Sequence, residues 1–343
     1  MKNILSNQHS SSEEINHSIA KYYDEIKETD DEEAVGKSMT YLSELFSFDN
    51  LEHGSTASLI CGSLIENAYP AKYITDDYIQ FFASGIKNSL PFIEACETEL
   101  RKQNNDREEE QEYEIIERIK ETLKPQFAKA INSLEGLDSY YQCGISIFSS
   151  DRSEFEKGKN HLAEVSKYTQ YNSAFHWMSK LFEVLFDEPI IVLELNTKQG
   201  FKGKISGIVD NFQLQLLLMG LPELNDKINI QEEFLDVVKG LHVQQLEQSI
   251  SGKWNMYNWE YLKNAKSQTS NNKGSEHWIW SEGIPDDISK FNGFRVILLD
   301  KPSYSRGLPI QRTFKNLKAE IKIEEKLDQN QVEELLKEMT NTN

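Results

Sequence analysis

The chain has no run of roughly 18 apolar residues, the length a membrane-spanning helix needs, so no segment is expected to cross a bilayer. Cysteine is scarce. Cys61, Cys96 and Cys143 are odd in number, widely spaced and each in apolar company. They read as buried free thiols of a reducing compartment, not as a disulfide framework. Reactive motifs are missing too: no Gly-rich phosphate loop ending in Lys-Ser/Thr, no GxGxxG, no GxSxG, no HExxH and no CxxC. The nearest look-alike, Gly203-Lys204-Ile205-Ser206-Gly207, has its serine one position late and lies in a strand-like run. These absences argue against phosphoryl transfer, dinucleotide chemistry and zinc hydrolysis, and leave no cofactor or metal expected. Met1 to Ser12 has one lysine and no apolar run, which fits neither a secretory signal nor a transit peptide. Cytoplasmic residence is the expectation.

What the chain has is acid. The first 150 residues carry 28 Asp and Glu against 13 Lys and Arg, while the other 193 carry 28 against 24, so nearly all of the net charge of −19 lies in the N-terminal part. Such a field repels nucleic acid and anionic membrane and attracts basic partners over a Debye length of about 8–10 Å.

Apolar periodicity divides the chain into a disordered tail (1–12), an acidic helical domain (13–187) and a smaller α+β domain (188–343). Helices are expected near 13–29, 33–47, 54–68, 75–102, 112–124, 126–148, 153–168 and 173–187. In the fifth, Tyr113, Ile116, Ile119 and Leu123 share one face while Glu112, Glu114, Glu117 and Glu121 face away. The polar run 103–110 reads as a mobile connector. Ser153 with Glu156 has capping-box spacing, and the helix at 173–187 is apolar on nearly every side, which predicts burial between the halves. Small residues between Gly54 and Ile65 permit close helix packing. With the helix after Pro70, this pair resembles the repeat unit of armadillo and HEAT proteins, and a helical bundle or short array of that kind is the fold expected.

After residue 188 the texture changes. A β-hairpin is expected over 190–209, a helix capped by Asp210, another over 230–241, strands at 253–259, 277–280, 294–299 and 319–326, and a C-terminal helix over 328–340 capped by Asp328 with Gln331.

Three constellations stand out. Tyr257, Trp259, Trp278 and Trp280 could line an aromatic platform for a sugar or base, or simply fill a small core. His277, with Glu276, Asp286 and Asp287 in a Gly- and Pro-containing loop, holds the ingredients of acid–base chemistry or a hard-cation site, though Asp after Pro is ordinary turn chemistry. Arg306 and Arg312 lie where bases outnumber acids 13 to 9, between Lys253 and Lys326, and could hold an anion. His176, beside Trp177, is expected to be a buried core histidine.

The function expected is that of a non-enzymatic binding protein. Its acidic surface, formed by Asp30, Asp31, Glu32, Glu33, Glu108, Glu109, Glu110, Glu112, Glu114, Glu117 and Glu121, would capture a basic protein, as bacterial immunity proteins do with basic nuclease toxins. Asn- and Lys-rich residue usage is compatible with a bacterial source. The alternatives are a hydrolase using His277, Asp286, Asp287 and Arg306 beside the aromatic strands, or an adaptor with two partners.

Overall fold

The computed structural model describes residues 12–27, 29, 31–102, 109–224, 230–241, 248–264, 277–302 and 306–342, without the side chains of 12, 15, 16, 19, 27 and 109–113. Of the tail expected at 1–12, residues 1–11 lie outside the described residues and Ser12 opens a helix; of the connector expected at 103–110, residues 103–108 lie outside them and Glu109 and Glu110 open a helix. The chain divides into two compact units, Met1–Phe182 and Glu183–Asn343. The first has 32 acidic and 18 basic residues, the second 24 and 19.

The first unit is helical throughout: α1 (Ser12–Lys27), α2 (Glu32–Ser43), α3 (Leu51–Glu66), α4 (Thr75–Lys102), α5 (Glu109–Leu137), α6 (Tyr141–Ser150), α7 (Arg152–Leu162) and α8 (Ser173–Phe182). Small residues let α3 and α6 approach closely. A Cβ on Gly62 would stand 3.3 Å from Cys143 Cα, and one on Gly54 would run into the Tyr140 hydroxyl. Tyr140 is fully buried at the start of α6, among Phe46, Phe48 and Phe81.

Three helical expectations are corrected. The helix expected over 126–148 is interrupted at 138–140, where Tyr140 turns into the core. Its expected start at 126 falls instead at a sharp kink within α5, just after Pro125, at Phe127 (φ −120°, ψ 23°). Proline removes one ladder hydrogen bond, and the chain folds back there without leaving helical conformation for long. The N-cap of α7 is Asp151, which accepts hydrogen bonds from Ser153 N (2.7 Å) and Glu154 N (3.1 Å), so Ser153 lies inside the helix. Finally, α8 stops at Phe182 and not at 187; Asp187 takes a left-handed conformation (φ 51°) and Glu188 precedes a proline, so no helix can run through that end.

The second unit contains β1 (Glu188–Glu194), β2 (Gln199–Ser206), α9 (Asn211–Met219), α10 (Glu232–Lys239), β3 (Ser249–Ser251), β4 (Asn255–Tyr257), α11 (Tyr261–Asn264), β5 (Lys290–Phe291), β6 (Phe294–Asp300), β7 (Gly307–Pro309), β8 (Glu320–Leu327) and α12 (Gln329–Asn341). The main sheet runs β4-β6-β1-β2-β8, with β5 on β6, and only the β1–β6 pair is parallel. Its central strands read Ile190 to Leu193 and Val296 to Leu299 because both faces are covered. Ile190, Val192, Phe201 and Ile297 pack with α9 and α10, and Ile191, Leu193, Val296 and Leu298 pack with Val332 and Met339 of α12. Asp210 caps α9, and Asp328 with Gln331 forms a capping box on α12. β2 meets β8 across a bulge at Lys202/Gly203, where a Gly203 Cβ would strike the Lys322 carbonyl. The strand expected at 277–280 is reduced to a single bridge between Trp278 and Tyr257, and that expected at 253–259 to Asn255–Tyr257.

Candidate functional site

In the second unit the four aromatics hold different positions. Tyr257, on β4, stacks on Tyr261 (4.3 Å between centroids, 21°) and meets Trp278 edge-on at 6.1 Å. Trp259 packs against Phe291 in the core beneath α12. Trp280 leans on Trp278 at 59° and is 53% exposed. These tilted rings are edges and core members and do not present a flat platform.

The loop 281–288 is built as a clasp. Its Pro285–Asp287 turn is held by Arg295 of β6, a side chain only 7% exposed. Arg295 donates to Glu188 (2.9 Å from Nε), to the carbonyls of Asp286 (2.5 Å) and Ile288 (2.8 Å), and to the Asp286 carboxylate. Lys290 reaches the same Glu188 at 2.6 Å. Asp287 faces its own turn, 3.5 Å from Ile284 N. His277 is half-buried, and its carbonyl accepts from Asn258 N (2.9 Å). Arg306 is paired with Glu282 and lies 5.3 Å over the Phe212 ring, whereas Arg312 is buried. Glu276 lies outside the described residues. Trp254, Trp278, Trp280, Gln215 and Arg306 line a cavity of about 30 Å³. That is room for about one water molecule, far from the several hundred Å³ of a typical substrate pocket. Of His277, Asp286, Asp287 and Arg306, only Arg306 lines it.

The first unit holds a larger concavity, about 360 Å³, that sequence reasoning missed. Glu117 and Lys120 come from the first half of α5, Glu135 from its end, Asp138 from the turn that follows it, and His176 and Trp177 from α8; Tyr171 and Phe92 complete the wall. Lys120 Nζ lies 2.7 Å from Glu135 and 3.5 Å from Glu117. In a straight helix the fifteen-residue step from Lys120 to Glu135 would span about 22 Å. The kink at Phe127 is therefore what makes this site, by folding two acidic stretches of one helix face to face. Burial would lower the Lys120 pKa, yet its hydrogen bond and charge contact with Glu135, then Glu117, raise it on balance. Burial raises that of Asp138, against the hydrogen bond its carboxylate accepts from Ala174 N (2.8 Å) and the charge of Lys120. Tyr171 is likewise raised, by burial and by Glu97. Three carboxylates face one lysine, with aromatic walls. Such a site can seat a cation, most readily a guanidinium, which bonds carboxylates in pairs and stacks on rings. His176 is exposed, not buried as expected, because α8 turns that side outward.

The expected acidic surface is divided in its roles. Asp31 caps α2 through Glu33 N (3.0 Å) and Ala34 N (3.2 Å). Glu32 pairs with Lys72 (3.6 Å), Glu33 with Lys37 (2.7 Å), Glu117 with Lys120, and Glu121 with Lys124 (3.6 Å), while Glu114 is exposed. Asp30 and Glu108 lie outside the described residues, as do the side chains of Glu109, Glu110 and Glu112. Among the described residues no helix is long and apolar enough to cross a membrane.

No family model, curated protein or solved structure matches this chain.

Proposed function

We propose that the chain is a non-enzymatic protein-binding protein whose acidic helical unit captures a basic protein partner. The observation that carries this reading is the cleft of Glu117, Glu135 and Asp138, set on a unit with 32 acids and 18 bases. The pairs already formed on this surface do not remove its field. Exposed ion pairs such as Glu33–Lys37 and Glu121–Lys124 are worth about 0–1 kcal/mol each and leave the net charge of the unit unchanged. The long-range field would speed association, and the cleft would give it register. A toxin-neutralising protein would use such a surface against a basic toxin, and action in the cytoplasm belongs to the same proposal, supported by three buried thiols that form no disulfide. The hydrolase reading has no comparable support, since the cavity beside its residues holds about one water.

The test uses the full chain and an oligo-arginine peptide as probe. Affinity should fall steeply with added salt, and Glu135→Lys should weaken it by about tenfold. Glu14→Lys, an equal change of charge on exposed α1, should weaken it far less. Equal loss from both variants would leave only a diffuse field, and affinity indifferent to salt would refute the proposal outright.

A further inference from the structure

A groove of about 400 Å³ lies in the second unit, where α9, α10 and the start of β8 meet. Its walls are aliphatic: Leu217, Leu221, Leu235, Leu241 and Ile321. Leu241 is 60% exposed, one of few large apolar side chains so placed. Lys239 and Lys318 stand at one point of the rim, because Ala319 N donates to the Lys239 carbonyl (3.1 Å) and so joins the two backbones there. Neither lysine has an ion-pair partner among the described residues, and Glu320 is the only acid among the groove's lining residues.

We propose that this groove binds a free long-chain carboxylate, with the alkyl chain along the leucines and the headgroup between Lys239 and Lys318. Charge complementarity selects the anion: two lysines and one carboxylate line the groove. Volume selects a single chain. A methylene occupies about the volume of a water molecule, roughly 30 Å³, so the groove takes about a dozen carbons. Its size and its mix of apolar walls with a few converging charges are those of ordinary small-molecule pockets.

The experiment titrates dodecanoate, kept below its micelle concentration, into the full chain by calorimetry. Saturable one-site binding with a negative heat-capacity change is expected. Each methylene removed from the ligand should weaken binding by about fourfold. Dodecanol, with the same tail and no charge, should bind about tenfold more weakly, and that preference should vanish in the Lys239→Glu/Lys318→Glu variant. Leu241→Asp should weaken both ligands; the changed side chains lie at the rim, and tryptophan emission checks that each variant is folded. Absence of saturable heat would overturn the proposal, as would affinity independent of chain length or a wild type blind to the headgroup. An acidic amphipathic peptide that binds where dodecanoate does not would also overturn it, making the groove a protein-docking surface.

Discussion

Replacing Arg295 with leucine separates a structural role for the 281–288 loop from a catalytic one. Arg295 is 7% exposed, and its guanidinium serves two carboxylates and two carbonyls. Removing one partner of a fully buried ion pair costs about 3–5 kcal/mol, because the other charge is left stranded. Here the cost should be smaller. Glu188 keeps Lys290 at 2.6 Å, and the Asp286 side chain is 49% exposed and can turn to water. The carbonyls of Asp286 and Ile288 lose their donor, at about 1 kcal/mol each. With about 1 kcal/mol more for the lost carboxylate contacts the sum comes to about 3 kcal/mol, which for a unit of about 160 residues lowers Tm by roughly 6–12 °C. Asp286→Ala, which leaves the two carbonyl bonds in place, should cost only about 1 kcal/mol. Four of the five tryptophans lie in this unit, so urea unfolding followed by their emission reports on it. Were Arg295→Leu to cost under about 1 kcal/mol, the clasp would be unnecessary to the fold. Asp286 would then be open to the acid–base role that its position in the sequence suggested.

Three further outcomes are expected. Tyr140→Phe removes the hydroxyl that donates to Ser47 O (2.7 Å) and accepts from Ser47 N (3.1 Å), and should lower stability by about 2 kcal/mol in chemical denaturation without altering the rings around it. Burial would raise the Glu194 pKa, but hydrogen bonds from the Thr197 hydroxyl and amide and from Asn196 outweigh it and hold the carboxyl below its ordinary 4.5. A depressed carboxylate contributes stability that is present above the unfolded pKa and lost as pH falls through the folded one. Glu194→Gln should therefore destabilise near neutral pH, with the gap to wild type closing below about pH 4.5 in acid titrations of unfolding. Burial raises all three thiols, that of Cys96 to about 11, so a thiol reagent at pH 8 should find them inert in the native protein and reactive once it is unfolded.

The elements legible in the sequence are those specified locally. The apolar runs at Ile190 and Val296 announced strands, and Asp210, Asp328 and Gln331 fixed helix starts through hydrogen bonds to neighbouring amides. What escaped was decided by tertiary contacts. The 277–280 segment alternates like a strand, yet after Trp278 it turns away from Tyr257 because Asn211 draws the Trp280 carbonyl (2.8 Å) and Phe212 N the Ser281 carbonyl (3.0 Å) toward the start of α9. The three-residue strands β3 and β7 pair only with each other, and so little alternation carries no usable period.

The cleft in the helical unit illustrates a different limit. Periodicity assigned Glu117 to a wet face, but a face is not a concavity, and Glu135 and Asp138 belong to a stretch whose direction depends on the bend at Phe127. Pro125 was the one visible sign. Being exposed, it is not itself what holds the halves together. Ile116 and Ile119 on one side of the bend and Ile131 and Leu134 on the other are buried, and Lys120 ties the two halves through Glu135. Pro125→Ala restores a backbone donor and adds freedom to the unfolded chain, opposing effects of about 0.4–1 kcal/mol on the second count. Stability should thus change by less than about 1 kcal/mol, and affinity for an oligo-arginine probe should be kept. If Pro125→Ala instead abolished that affinity while the unit stayed helical by circular dichroism, the proline and not the buried isoleucines would be what shapes the cleft.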